Sequence, residues 1–222
     1  MDDLTNNNLV SINGAEVPTL QILVMLTVLM ILPSLLIMMT SFVRIIIILS
    51  FTRNAIGIQQ TPPNMVLVGM ALFLTLFIMD PIIKQVNTEV YTPYKNGEIS
   101  QTEVFKQAQE PLKEFMLKNT EKSTLNLFID MSGQELEGEP QDLSLTVIIP
   151  AFMTSELKRG FTVGLLLYIP FLLLDIIVSS TLMSMGMIML PPATIALPFK
   201  VLLFVSVDGW ELLFSSIVKS FN

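Results

Sequence analysis

The sequence predicts an all-α, membrane-associated protein: hairpins of proline-broken hydrophobic helices carrying a small helical insert outside the membrane. Three observations predict it. Of 222 residues, 52% are hydrophobic, and the mean hydropathy of +0.67 exceeds what an ordinary soluble domain carries. The apolar residues gather into four blocks, 20–51, 65–79, 161–190 and 193–218, and prolines interrupt or border each of them. Between the second and third blocks the chain turns polar and charged. The expected organisation is therefore an N-terminal hydrophobic region, 1–86, a polar helical insert, 87–146, and a C-terminal hydrophobic region, 147–222, with a methionine-rich loop.

The first eighteen residues, MDDLTNNNLVSINGAEVP, contain no basic side chain, so they do not read as a signal peptide. The block 20–51 as one helix measures about 48 Å, against about 30 Å of hydrocarbon, and Pro33-Ser34 falls inside it. A kinked element or a re-entrant pair is expected. Thr61-Pro62-Pro63 reads as a cap with proline in the first helical turn, starting a helix through 65–79. Asp80-Pro81 repeats that signal, so a break is expected there. The double proline Pro191-Pro192 divides the last two blocks.

Within the insert, Ser100 and Glu103 have the S-x-x-E spacing of a capping box. Val104, Ala108, Leu112 and Phe115 then recur as one helical stripe, with Pro111 a possible kink. Ser123 is placed to cap a second short helix bearing Leu125, Leu127 and Phe128. The Gly/Pro-punctuated stretch SGQELEGEPQD marks a loop. About sixty residues bury only a marginal core, so packing against neighbouring copies is expected to support this segment.

Charge and chemistry narrow the function. The net charge is −7, but most acidic groups lie between Glu89 and Asp142, so no face of the chain suits nucleic acid. With neither cysteine nor histidine, thiol and imidazole catalysis, HExxH zinc sites and imidazole proton relays are excluded. No cofactor or metal site is expected, and an enzyme would need an unusual Ser-Lys or Asp pair. Arg44, Arg53, Lys84, Asp175, Lys200 and Asp208 sit in or beside apolar runs. There an unpaired charge costs about 3 kcal/mol, so these groups need partners or water. Asp80 and Lys84 suit each other at i,i+4. Lys200 and Asp208 are too far apart on one helix to meet, so Arg44 or Arg53 is the expected partner of Asp175 or Asp208. Ion translocation by a channel or secondary transporter is the alternative use of such charges, although the two halves show no convincing internal repeat.

Met183, Met185, Met187 and Met189 alternate in TLMSMGMIMLPPATIALPFK, and Gly186 with the double proline favours a loop or broken helix near Met187. Ordinary core packing is one reading. The other is a deformable seal, because unbranched thioethers yield to varied shapes where Leu or Ile would not.

The segments RNAIGIQQTPPN, PAFMTSELKRGF, MSMGM, LPFK and VDGW resemble the FliP family of the type III secretion export apparatus, and the likeness covers nearly everything from residue 32 onward. QQTPPN and VDGW resemble the flagellar branch more than the virulence injectisome branch. The resemblance implies a non-enzymatic pore subunit in the bacterial cytoplasmic (inner) membrane and the flagellar basal body. Such a subunit forms a homo-oligomer with FliQ- and FliR-like membrane proteins, meets other export-apparatus and basal-body proteins, and passes unfolded flagellar subunits. It also implies a helical, conical oligomeric gate and an insert outside the cytoplasm. The family's methionine gasket falls on Met187, Ile188 and Met189, with Met185 beside them; Ile188 stands where methionine is commoner. Arg44, Arg53, Asp175, Lys200 and Asp208 are then the buried charges expected to hold the assembly together.

Overall fold

A computed structural model describes residues 9–12, 15–58, 60–133 and 138–221. The chain divides into two compact units, Met1–Met38 and Met39–Asn222. In the first, strands β1 (Leu9–Ile12) and β2 (Ala15–Pro18) pair antiparallel with Val10 opposite Val17. This short hairpin is the one non-helical element among the described residues, beside the predicted helices. Helix α1 (Thr19–Met38) follows, and Pro33 lies inside it without ending it. A proline removes one backbone donor, which an apolar helix tolerates when side-chain hydroxyls and neighbouring carbonyls adjust. Ser34 Oγ donates to Ile31 O at 2.7 Å.

The second unit is helical: α2 (Phe42–Ile56), α3 (Asn64–Val86), α4 (Thr92–Lys95), α5 (Gln101–Asn119), α6 (Lys122–Ser132), α7 (Leu145–Ser184), α8 (Pro192–Ser206) and α9 (Gly209–Lys219). The expected break at Asp80-Pro81 is absent, since α3 runs on to Val86. Asp80 instead takes a hydrogen bond from Lys84 Nζ at 2.6 Å, one turn along the same helix. Beyond Val86 the helix widens to a π-turn at Asn87–Tyr91 before α4. Pro93 supplies the reason: it offers no N–H to the carbonyl one turn back, and a wider winding re-registers the bonds.

Helix α7 organises the unit. At 40 residues it is about 60 Å long, and it continues through Pro150 and Pro170. Gly160 and Gly164 let it approach α2 closely: a Cβ at Gly164 would lie 2.5 Å from Cγ of Phe51. Phe51 also meets Phe161 edge to face, with centroids 5.4 Å apart. Gly164→Val should therefore force the two helices apart, costing about 1 to 3 kcal/mol. A lowered thermal midpoint of the purified chain is the expected reading; an unchanged one would mean Phe51 swings aside freely.

One hydrophobic core contains Ile45, Ile48, Leu67, Met116, Ile148 and Phe152. Met116 comes from the polar insert, so α5 shares the core of α2, α3 and α7 and does not build a separate one. At the start of α5 the capping box forms as the S-x-x-E spacing predicts: Glu103 N donates to Ser100 Oγ, and Ser100 N donates to Glu103 Oε2. The Ser100 N–H holds the Glu103 carboxyl below its usual range. Its capping contribution is present above the ordinary glutamate pKa and is lost as pH falls through the lowered one.

The α3–α4 run, 64–95, and α7 are long and apolar enough to cross a membrane, and the described helices supply up to four spans if the broken pairs α1/α2 and α8/α9 each count as one. Helices α8 and α9 meet at 61°.

Candidate functional site: an exposed methionine turn and two buried charge clusters

The methionines sit on a turn between α7 and α8. Helix α7 ends in a Schellman motif: Met187 N donates to Leu182 O and Gly186 N to Met183 O, both at 3.0 Å. Gly186 takes the left-handed conformation that motif needs, at φ +73°. Pro191 caps α8 and Pro192 opens it, so the chain reverses between two fixed ends. The turn presents its side chains outward: Met189 is 99% exposed, Ile188 83%, Met185 71% and Met187 40%. Within the single chain these are not core methionines. An apolar, flexible tip on a rigid helical hairpin is the arrangement that a deformable contact requires.

Arg44 is the centre of the first charge cluster. Its Nε donates to Glu156 Oε2 at 2.8 Å, and Nη2 completes a two-pronged pair with Oε1. Nη1 donates to Ser220 Oγ at 3.1 Å and to Ser220 O at 3.3 Å; Nη2 also reaches Asn119 Oδ1 at 3.5 Å. The ring of Phe221 lies 3.7 Å from the guanidinium carbon. Arg44 and Glu156 are both buried. The cluster joins α2, α7, the end of α5 and the C-terminal turn.

Helix α7 also contributes to the second cluster. Lys200 Nζ on α8 donates to Asp175 Oδ2 at 2.6 Å and to Ala55 O at 3.2 Å. The ammonium thus satisfies a carbonyl in the last turn of α2 while neutralising the carboxylate.

The pairing expected from the sequence is corrected at both ends. Asp175 pairs with Lys200, one helix over, and not with either arginine. Arg44 pairs with Glu156, which the sequence reading passed over. Glu156 was findable, because Ile148, Phe152, Glu156, Gly160 and Gly164 recur every four residues along the face of α7 that meets α2. Arg53 bonds Asn64 Oδ1 at 2.5 Å and Pro62 O at 3.3 Å, tying α2 to the start of α3. Asp208 is exposed at the α8–α9 corner, in the left-handed conformation at φ 50°, and no ion pair to it is seen among the described residues. Gly209 beside it is forced by packing: a Cβ there would lie 2.4 Å from the Phe204 ring.

The model of the FliP family matches residues 25–217, a span that holds the whole turn and every ionic member of both clusters. The chain is 49% identical over 203 residues to the flagellar biosynthetic protein FliP of Bacillus subtilis (strain 168), covering 91% of this chain and 92% of that one. To the protein of the same name from Aquifex aeolicus (strain VF5) it is 49% identical over 211 residues, 94% of this chain and 88% of that one. To that of Pectobacterium carotovorum subsp. carotovorum it is 49% identical over 212 residues, 94% and 82% of the two chains. A match of this breadth, over a helical chain with membrane-length spans, places the protein in the FliP family of flagellar biosynthetic proteins.

Proposed function

We propose that this chain is the pore-forming core subunit of the flagellar type III export gate, passing unfolded flagellar subunits across the cytoplasmic membrane. The observation that carries the reading is the exposed turn of Met185, Met187, Ile188 and Met189 at the tip of the α7–α8 hairpin. Several copies, with two smaller FliQ- and FliR-like membrane subunits, bring these tips together around one channel. Thioether chains fill the opening when it is empty and move aside for a passing side chain of any shape. The chain performs no chemistry of its own in this role. The relatives' flagellar names support the flagellar gate over the injectisome equivalent.

The charges divide by location. Arg44 with Glu156, and Lys200 with Asp175, hold each subunit in the shape that assembles. Arg53 ties α2 to the start of α3 within the chain, whereas Asp208 is exposed and is left for contacts outside it. The polar segment 87–146 lies on the outer side of the membrane.

Gentle detergent extraction of a tagged chain tests the proposal. Mass measurement of the particle should give several copies of this chain with two unlike small membrane proteins. A lone monomer or dimer, recovered intact and folded, would overturn it.

A further inference from the structure

The hydrogen bonds that close the α7–α8 turn run between backbone atoms: Met185 N donates to Thr181 O at 3.1 Å, and Ile188 N to Gly186 O at 3.0 Å, beside the two bonds of the Schellman motif. The thioethers are not needed to hold the turn, and those of Met185, Met187 and Met189 stand exposed on it. Methionines elsewhere differ by place. Met39, Met79 and Met116 are buried in the core, while Met30, Met65 and Met131 are exposed singly on α1, α3 and α6. Among the described residues, only this turn gathers three exposed thioethers within five positions.

We propose that Met185, Met187 and Met189 form a reversible oxidation site for small peroxides, and that sulfoxide formation there loosens the resting seal. The effect on permeability rests on the gate reading; the site itself rests on the geometry of the single chain. Each sulfur attacks one oxygen of hydrogen peroxide. An S–O bond forms, the O–O bond breaks, and the second oxygen leaves as water with the proton of the first. Sulfur loses the two electrons that peroxide gains. No protein acid or base is required, which suits a stretch with no ionisable side chain between Asp175 and Lys200. Return to the thioether consumes two thiols and releases water, through the reductases that act on each sulfoxide epimer.

A sulfoxide keeps the length and volume of the side chain but replaces apolar surface with a strong acceptor. On the α7 side the hydroxyls next to the turn are already committed: Thr181 Oγ1 donates to Val178 O and Ser184 Oγ to Thr181 O, both at 2.8 Å. On the α8 side Pro191 and Pro192 have no N–H to offer. The new oxygens therefore draw their donors from water, and an apolar constriction that excludes ions by staying dry becomes wet. Ile188, exposed among them and inert to peroxide, keeps part of the seal.

The test treats intact complexes in membrane vesicles with hydrogen peroxide, then reads sulfoxide at each methionine by peptide mass spectrometry and resting ion flux. Met185, Met187 and Met189 should each gain about 16 Da, one oxygen, while Met116 stays reduced. Flux should rise several-fold and fall again after treatment with reductases for both epimers. Replacing all three by Leu removes the oxidisable sulfurs at similar volume, so peroxide should no longer raise flux. Should that triple variant not assemble, single Leu replacements serve, each lowering the peroxide-induced flux. Turn methionines left unoxidised would overturn the proposal, as would sulfoxides with unchanged flux, dissociation of the complex, or a peroxide leak that the Leu variants retain. Unchanged flux in complexes that Met187→Ala with Met189→Ala does make leaky would sink this inference alone. Complexes that stay sealed under both treatments would sink the gate reading with it.

Discussion

Glu156→Ala should abolish accumulation of the folded chain. The carboxylate is fully buried and receives both prongs of the Arg44 guanidinium. Removing it leaves a buried cation against the ring of Phe221 with only the weaker acceptors Ser220 and Asn119. Breaking a buried pair from one side costs about 3 to 5 kcal/mol, a large part of the roughly 5 to 15 kcal/mol that holds a domain folded. Arg44→Ala should be as damaging, because it strands the Glu156 carboxylate and releases the C-terminal turn. The double replacement Arg44→Met with Glu156→Leu should be milder than either single change, since no charge is left unpaired. Membrane levels of the three variants, measured side by side, check this. A double variant as poorly recovered as the singles would mean that the hydrogen bonds to Asn119 and Ser220 matter more than the ion pair.

Replacing Met187 and Met189 together by Ala should leave the subunit folded and the resting membrane leaky. Buried methionines lose about 2 to 5 kcal/mol on truncation to Ala. Met189 is 99% exposed and Met187 40% exposed in the single chain, so that cost does not arise within the subunit. The turn itself depends on Gly186 and the prolines, which the variant keeps. What is lost is side-chain volume at the tip, where the proposed channel closes. Ions and small molecules should then pass through the assembled gate when no substrate fills it. Leu at both positions keeps the volume but loses the adaptability of the thioether. That variant should stay sealed at rest and export more slowly.

The sequence made the helical, membrane-associated class legible because composition and block length decide it, and no tertiary contact is needed to count apolar residues. Local signals with a complete side-chain mechanism were equally legible, as at Ser100 and Glu103, where the cap needs only three residues of chain. Proline was the weaker guide. Pro33 was expected to kink its block or divide it into a re-entrant pair and Pro81 to break its helix, yet both lie within helices, because a single lost backbone bond is small beside the packing and span length that favour continuation. Asn13-Gly14, between two short stretches, was an available sequence signal for the β1–β2 pairing that the reading of the first eighteen residues did not use.

The charge partners were the least legible part. Arg44 and Glu156 are 112 residues apart, and Asp175 and Lys200 meet only because α7 and α8 fold back on each other. Spacing along one helix cannot report such a pair. Likewise the four methionines were visible as a pattern, but their exposure depends on the turn that Gly186 and Pro191 create.

The most direct test of the gate is ion flux through intact complexes carrying Met187→Ala and Met189→Ala, compared with wild type in the same membranes and normalised to complex recovered. The account predicts wild-type recovery with a clearly raised resting flux, reversed when a stalled export substrate fills the channel. Full recovery with wild-type flux would contradict a methionine seal in this chain, and loss of the complex would show these side chains holding subunits together instead of closing a pore.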